Sequence, residues 1–336
     1  MTTPPFDEII AAVMEHQSFL VAAHVGPDGD AIGSGLALQL ALTAIGKQAW
    51  MVSSDGVPAS CRFLPGWQSV VGAPPRQPQC ALIIDCNGAP NRVAVAYHFV
   101  ENARYKVLID HHRTSEPVFD VNWIDPSLPA TALMVYQLLQ RLPISLTADM
   151  AQCLLCGLST DTGNFRFPNT TPDCLRAAGE LVECGADPAQ VAFKLFDERS
   201  FEATKLLGTA LLKMQSECSG ALTWTALTQD DFKAAGTGDE SSENAVNMLR
   251  NVRHARMAII LRESCDETGP VARISVRADP ELRADLFCQQ FGGGGHAAAS
   301  GCRVRYQPFA ESVRVVIEAA RAWLQDDHPP IEDAVN

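Results

Sequence analysis

Apolar residues along this chain keep two rhythms. Phe6, Ile9, Ile10, Val13 and Met14 recur at helical spacing and predict a helix over residues 6–17. The run at 19–23 is continuous and of strand length. Similar runs stand at 49–53, 81–84 and 104–109, and helical spacing returns at 31–47, 131–142, 147–158, 171–185 and 188–196. Asp30 is the expected N-cap of the helix over 31–47, with Gly46 near its end; Thr171 or Asp173 opens 171–185 and Gly185 closes it. Strands that alternate with helices, with few hairpin signals between them, predict a mainly parallel, doubly wound α/β sheet.

Near residue 197 the pattern changes. A long connecting helix is expected over 197–219, then strands at 222–227, 257–261 and 271–276, with 234–238 as a loop between them. A helix over 281–291 leads into four glycines at 292–295, and a last helix spans 309–324. One hydrophobic core rarely extends beyond about 250–300 residues, so 336 residues predict two domains. We place a first domain at 1–196, a linker helix at 197–219, a smaller α/β domain at 220–326 and a frayed acidic tail at 327–336.

Composition narrows the setting. Hydrophobic residues at 47% and charged residues at 19% are ordinary for a globular chain. No basic segment followed by an apolar run opens the sequence, and the most apolar helix is too short, and too close to two carboxylates, to span a membrane. A cytoplasmic protein without membrane attachment is expected. The formal charge of −13 argues against loose adhesion to long nucleic acids, but not against a small phosphorylated substrate met by a local basic patch. Eleven scattered cysteines, among them Cys80, Cys153, Cys156 and Cys184, read as buried small hydrophobes in a reducing compartment. Cys153 and Cys156 have C-x-x-C spacing, but within an apolar helical run, where structural thiols are the better reading.

Candidate chemistry gathers where strands end. The run 19–23 delivers His24, Asp28 and Asp30; the run 81–84 ends at Asp85; the run 104–109 delivers Asp110, His111 and His112; Asp161 sits in a Gly-containing turn after the helix over 147–158. In a parallel sheet the strand ends share one edge, where open α/β folds bind ligands. A lone aspartate after a strand is usually a helix cap, and a lone histidine is usually structural. Four clusters change that balance. His24, Asp28, Asp30, Asp85, His111 and Asp161 supply two imidazoles and four carboxylates, enough for two divalent cations if one carboxylate bridges. So many carboxylates repel one another unless cations lie between them. Oxygen and imidazole donors without thiolate suit Mn2+, and Mg2+ less well. Two ions about 3.5–4 Å apart are a known solution to phosphoester hydrolysis. His112 could contact a phosphoryl oxygen or protonate the leaving group. Arg113 is explained as well by solvation as by a substrate contact.

The four glycines at 292–295 remove every Cβ, so backbone N–H groups can approach a ligand and form an anion-binding concavity. Alone they would read as a flexible loop. His296 follows at once, however, and Ala297, Ala298 and Ala299 start a helical or tight-turn segment, which favours binding. Arg250, Arg253, Arg256, Arg262, Arg273 and Arg277 concentrate positive charge in the same domain, a clamp for phosphates and bases.

Five ordered motifs carry a resemblance. His24-x3-Asp28-Gly29-Asp30-Ala31-Ile32-Gly33-Ser34, Asp85, Asp110-His111-His112 and Ser159-x-Asp161-Thr162-Gly163 resemble the four motifs of the DHH phosphoesterase superfamily in their usual order. Gly292-Gly293-Gly294-Gly295-His296-x3-Ser300-Gly301 resembles the signature of the DHH-associated substrate domain. In length and architecture the chain is most similar to the stand-alone nanoRNase and pAp-phosphatase branch. The resemblance implies that His24, Asp28 and Asp85 hold one manganese and Asp30, Asp85, His111 and Asp161 the other. It also implies that Asp110 orients the motif, that His112 contacts the scissile phosphate, and that Arg262, Ser275, Arg277, Gly294, Gly295 and His296 contact substrate. Residues 126–133 depart from the family pattern, which has a Glu near Leu133, so no role is carried over to them.

By this resemblance the chain would be a two-domain phosphoesterase with its active-site cleft between the domains. It would use two Mn2+ ions, with Mg2+ as a substitute, to degrade short single-stranded RNA or DNA oligonucleotides exonucleolytically and to convert 3′-phosphoadenosine 5′-phosphate (pAp) to AMP. A homodimer is a candidate assembly. A linear or cyclic dinucleotide phosphodiesterase, acting on pApA or cyclic di-AMP, uses the same parts. A manganese pyrophosphatase should lack the glycine signature, and a Rossmann enzyme needs the G-x-G-x-x-G that the loop after the first strand lacks. A nucleotide-binding regulatory module is the alternative of another class.

Overall fold

The continuous apolar runs of the first half become strands covered on both faces. The structure is a computed structural model that describes residues 4–238, 242, 245–295 and 297–325. Contacts divide the chain into two units, Met1–Glu198 and Arg199–Asn336. The first holds a parallel sheet in the order β2-β1-β3-β4-β5, built from β1 Ser18–Ala22, β2 Gln48–Val52, β3 Cys80–Ile84, β4 Tyr105–Asp110 and β5 Val121–Ile124. Alternate side chains enter two cores. Phe19, Val21, Leu82, Ile84, Val107 and Ile109 join the larger one, which takes in α1 Phe6–Glu15, α2 Gly29–Ala44, α5 Thr131–Leu139, α6 Ala148–Asp161, α7 Pro172–Glu183 and α8 Pro188–Ala192. Leu20, Ala22, Ala81, Ile83 and Leu108 face the other way, toward α3 Pro90–Val93 and α4 Tyr97–Glu101. This is the doubly wound arrangement predicted from the alternation.

Three local expectations change. The helix expected from residue 31 begins at Gly29, because Asp28 rather than Asp30 is its N-cap. The helix expected to end at 158 continues to Asp161, so that carboxylate rides on the last turn of α6 rather than in a loop. Cys80, Cys153 and Cys156 are buried as expected, but Cys184 is exposed at the C-cap of α7. Among the described residues, no helix is long and apolar enough to cross a membrane.

The second unit holds a mixed sheet in the order β10-β11-β9-β8-β7-β6. Its elements are α9 Phe201–Leu212, β6 Gln215–Glu217, β7 Leu222–Leu227, α10 Gln229–Ala235, α11 Ala245–Arg250, β8 Met257–Asp266, β9 Gly269–Ala278, α12 Ala284–Gln289, β10 Gly294–Gly295, β11 Ala299–Val304 and α13 Phe309–Gln325. Only the β7–β8 pairing among these is parallel. The helix expected over 197–219 stops at Leu212, since Gln215–Glu217 pairs with β7. Residues 234–238 are not simply a loop: α10 runs to Ala235 and Gly236 closes it with φ +80°. β8 and β9 form a hairpin whose turn is fixed by Asp266, which accepts hydrogen bonds from the Thr268 N–H and hydroxyl. Ala299 opens a strand and not a helix; Ser300, Cys302 and Val304 alternate inward. His296 and the tail at 327–336 lie outside the described residues.

Candidate metal centre

Strand order sets the geometry of the sheet edge. β1, β3 and β4 are neighbours, so Asp85, which follows β3, stands between His24 after β1 and His111 after β4. Asp85 Oδ2 lies 3.6 Å from His24 Nε2, and Oδ1 lies 3.5 Å from His111 Nε2. Asp85 adopts φ +59°, a region seldom used by residues with a Cβ. Its N–H still donates to Ile109 O at 3.0 Å, so the turn leaves the sheet edge as it exposes the carboxylate.

Helices bring the remaining carboxylates. Asp28 caps α2, with Oδ1 accepting from Asp30 N at 2.9 Å and Ala31 N at 3.1 Å. Asp30, fully buried, accepts from Thr131 N at 2.6 Å and Ala132 N at 2.8 Å, so the first turn of α5 holds it by its free N–H groups. Asp161 reaches back from the end of α6 to within 3.1 Å of His111 Nε2. Ligand atoms of His24, Asp28 and Asp85 fall within 4.8 Å of one another, as do those of Asp30, His111 and Asp161, and of Asp85, His111 and His112.

The imidazoles are oriented from behind. His24 Nδ1 is 2.9 Å from Val25 O, and His111 Nδ1 is 3.3 Å from Leu128 O. A carbonyl can only accept, so each Nδ1 carries its proton and each Nε2 turns toward Asp85, as metal-bound imidazoles are held. His111 Nε2 is buried with no hydrogen-bond partner among the described residues. His112 differs. Its Nδ1 lies 2.7 Å from Asp110 Oδ1, while Asp110 also accepts from the His112 N–H and the Ser115 hydroxyl. Asp110 is buried behind the histidine, which is itself partly exposed.

Electrostatics divide these groups sharply. Burial raises the pKa of Asp30 well above the usual carboxylate value, and Asp85 and Asp161 add to the effect. Protein crowded round Asp28, followed by Asp85 and Asp161, pushes it up to about 6, although it lies at the mouth of the cluster. Burial and then Asp85 raise Asp161 too. Asp85 goes the other way: burial opposes its charge, but the His111 and His24 imidazoles that face it prevail and hold it low. Burial also opposes charge on His111, yet Asp161 and Asp85 raise it to about 11. His112 is raised chiefly by its hydrogen bond to Asp110. Without cations, this centre therefore retains protons on carboxylates and imidazole. Imidazole and carboxylate donors around a buried, unbonded Nε2 are what divalent cations would satisfy. Among the described residues no cysteine enters a metal-ligating group.

Sequence reasoning missed two residues. The Thr131 hydroxyl donates to Asp85 Oδ1 at 2.9 Å, and Ser115 holds Asp110. Thr131 lies in the stretch that departs from the family pattern; its place at the start of a helix was the available signal. Arg113 is exposed.

The second unit redistributes its expected phosphate ligands. Arg262 and Ser275 are hydrogen-bonded across β8 and β9, and Arg277 Nε donates to Asn247 Oδ1 at 3.1 Å. Arg250 and Arg256 both pair with Asp279, so the six arginines do not form one clamp. Gly294 and Gly295 are exposed and pair with Gly301 and Ser300 as a short strand at the sheet edge. A Cβ on Gly293 would sit 2.2 Å from Gly301 O, so close strand packing requires that glycine.

Comparisons agree with this architecture. Residues 18–158 match the model of the DHH family, N-terminal domain, and residues 229–326 match the DHHA1 domain. The chain is 35% identical to the bifunctional oligoribonuclease and PAP phosphatase NrnA of Thermus thermophilus, covering 90% of this chain and 89% of that one. It is 27% identical to the protein of the same name from Bacillus subtilis, over 88% of this chain and 92% of the other. An exopolyphosphatase-related protein from Bacteroides fragilis shares the fold, with a TM-score of 0.85 at 23% identity, over 95% of this chain and 96% of that one.

Proposed function

We propose, from the premise that this chain belongs to the DHH family of phosphoesterases, that it uses two manganese ions to hydrolyse short oligonucleotides and pAp. One observation carries the two-ion reading: Asp85 stands between His24 and His111 at a point where two ligand groups meet. His24, Asp28 and Asp85 would hold one ion, and Asp30, Asp85, His111 and Asp161 the other. Bound there, the ions would supply an attacking hydroxide at neutral pH and neutralise charge on the phosphoryl oxygens. The substrate class is supported by the likeness to the Thermus and Bacillus proteins over most of both chains.

The chain's own groups have separable tasks. Asp110 fixes the proton of His112 on Nδ1, which leaves Nε2 to hold a phosphoryl oxygen or deliver a proton to the leaving oxygen. The raised pKa of His112 keeps such a proton available. Thr131 and the α5 N–H groups hold Asp85 and Asp30 in place, so the ligands need not reorganise during turnover. Arg262, Ser275, Arg277, Gly294, Gly295 and His296 are proposed to hold the substrate's remaining phosphate and base.

Metal-stripped protein, resupplied with Mn2+ or Mg2+, should be assayed in parallel on pAp, pApA, a short RNA, cyclic di-AMP and pyrophosphate. The expected result is Mn2+-dependent release of AMP from pAp and of mononucleotides from RNA. Asp85→Asn should reduce both by at least about a hundredfold, the upper end of what losing even an outer partner of a metal site costs. Turnover confined to pApA or cyclic di-AMP would replace this reading with a dinucleotide phosphodiesterase. Bound metal without any hydrolysis would leave a nucleotide-binding module.

A further inference from the structure

Two loops leave the metal-bearing sheet edge on the side away from α2, α5 and α6. The chain after Asp85 runs through Asn87 and Gly88 into α3, and the chain after His112 runs through Thr114 and Glu116 to Phe119 before β5. Phe119 and Tyr97, the first residue of α4, pack on the smaller core of this unit. Phe119 is held at three points. Its N–H donates to Asn122 Oδ1 at 3.1 Å, and its carbonyl accepts from Asn122 Nδ2 at 2.7 Å. Its ring lies against Gly88, where φ is +70° and a Cβ would stand 2.7 Å from the ring. Glycine leaves that place to the aromatic ring.

Between these loops lies a hollow of about 490 Å3, within the size range of small-molecule sites. Tyr97, Phe119 and the 62% exposed Val118 give it apolar walls, and Asn87, Thr114 and Glu116 supply polar groups. Among the described residues the Tyr97 and Thr114 hydroxyls, the Asn87 Nδ2 and the Glu116 carboxylate make no hydrogen bond within the chain, so all four are open to a ligand. The lining includes a carboxylate and, among the described residues, no lysine or arginine, which disfavours a phosphate. A nucleobase suits both walls: its face stacks on aromatic rings, and its exocyclic amine donates to a carboxylate. Asn87 is two residues beyond Asp85, and Thr114 two beyond His112. Two residues span at most about 7 Å, so the hollow opens within a nucleotide's reach of a phosphate at the metal centre.

We propose that this hollow binds a nucleobase next to the scissile phosphate, the second base that pApA has and pAp lacks, against Tyr97 and Phe119 with its amino group on Glu116. The inference rests on the oligonucleotide reading above. It assigns Tyr97, Glu116 and Phe119 to the choice between a mononucleotide substrate and a longer one, a choice that the metal ligands do not make.

Steady-state kinetics of the full-length, Mn2+-loaded chain on three substrates test the hollow: pAp, pApA, and pAp extended by an abasic ribose. The native chain should use pApA at least about tenfold better, in kcat/KM, than the abasic compound, the scale of losing one stacked base. Tyr97→Ala combined with Glu116→Ala should erase that preference and leave pAp turnover unchanged. Glu116→Gln, at an exposed position, keeps the side-chain shape and should by itself lower the preference for pApA over pApU. Equal use of pApA and the abasic compound by the native chain would overturn the proposal. So would a loss in the double variant that falls equally on pAp, which would mark a structural role. Should the native chain with Mn2+ hydrolyse none of the three, the hydrolase reading fails, and calorimetric binding of the same compounds decides the hollow separately. Tighter binding of pApA than of the abasic compound, abolished in the double variant, would sustain it; equal binding would end it.

Discussion

Asp85 lies at the balance of the centre, because one carboxylate must serve both imidazoles while its charge raises the pKa of Asp28, Asp30 and Asp161. Its Oδ1 is fixed by the Thr131 hydroxyl, so Thr131→Val keeps the side-chain shape and removes only that bond. Loss of such an outer partner typically weakens metal affinity about 10–100-fold. Calorimetric titration with Mn2+ should find that loss in a folded protein; undiminished affinity would reduce Thr131 to packing. Protons supply a second test. Without cations His111 keeps its proton up to about 11, yet a ligand imidazole must be neutral. Mn2+ binding at pH 7 should therefore release that proton, and affinity should rise with pH, about tenfold per unit for each proton released. Below about pH 6 Asp28 also holds a proton, so the dependence should steepen there. Titrations in buffers of different ionisation enthalpy count the protons, and a flat affinity between pH 6 and 8 would contradict the assigned ligand.

At the level of elements, the centre depends on how closely α2 approaches α6. Gly33 makes that approach possible: a Cβ there would lie 2.3 Å from Cys153 O and 3.0 Å from Gly157 N. Gly33→Ala gains up to about 1 kcal/mol of helix propensity but forces two backbones apart, for a net loss of about 2 kcal/mol. α2 also carries Asp28 and Asp30, so the variant should lose Mn2+ affinity together with stability. Thermal unfolding checks it, and an unchanged midpoint would refute the close contact. Much of this arrangement was legible from the sequence. Unbroken runs such as 81–84 are too short for a helix and fit strands buried on two faces, and their parallel order brings His24, Asp85 and His111 to one edge. Less visible were features set by partners distant in sequence. Asp28 and Asp30 are equally good caps on paper, and only the N–H groups at the start of α5 draw Asp30 away from capping. β5 is short and interrupted by Asn122, and becomes a strand through pairing with β4. Ala299 ends a run of alanines that suits a helix, until pairing with β9 decides otherwise.

Across the whole molecule, the metal-ligating groups among the described residues all belong to the first unit, while each unit encloses its own core. Mn2+ that binds only folded protein stabilises it by mass action, about 2.7 kcal/mol at a hundred times the dissociation constant. Crowding of Asp28, Asp30, Asp85 and Asp161 is one source of that affinity, since without the ions it is relieved only by protons held on the carboxylates and on His111. For a unit near 200 residues, each kcal/mol moves the midpoint by about 2–4 °C. Chelation should therefore lower the first unit's transition by about 5–10 °C. The second unit, whose charge is organised around arginines, has no described ligand group for the ions to act on. Differential scanning calorimetry with and without EDTA should show one transition falling and another holding its position. Equal movement of both would mean that the ions stabilise more of the chain than the sheet edge that carries their ligands.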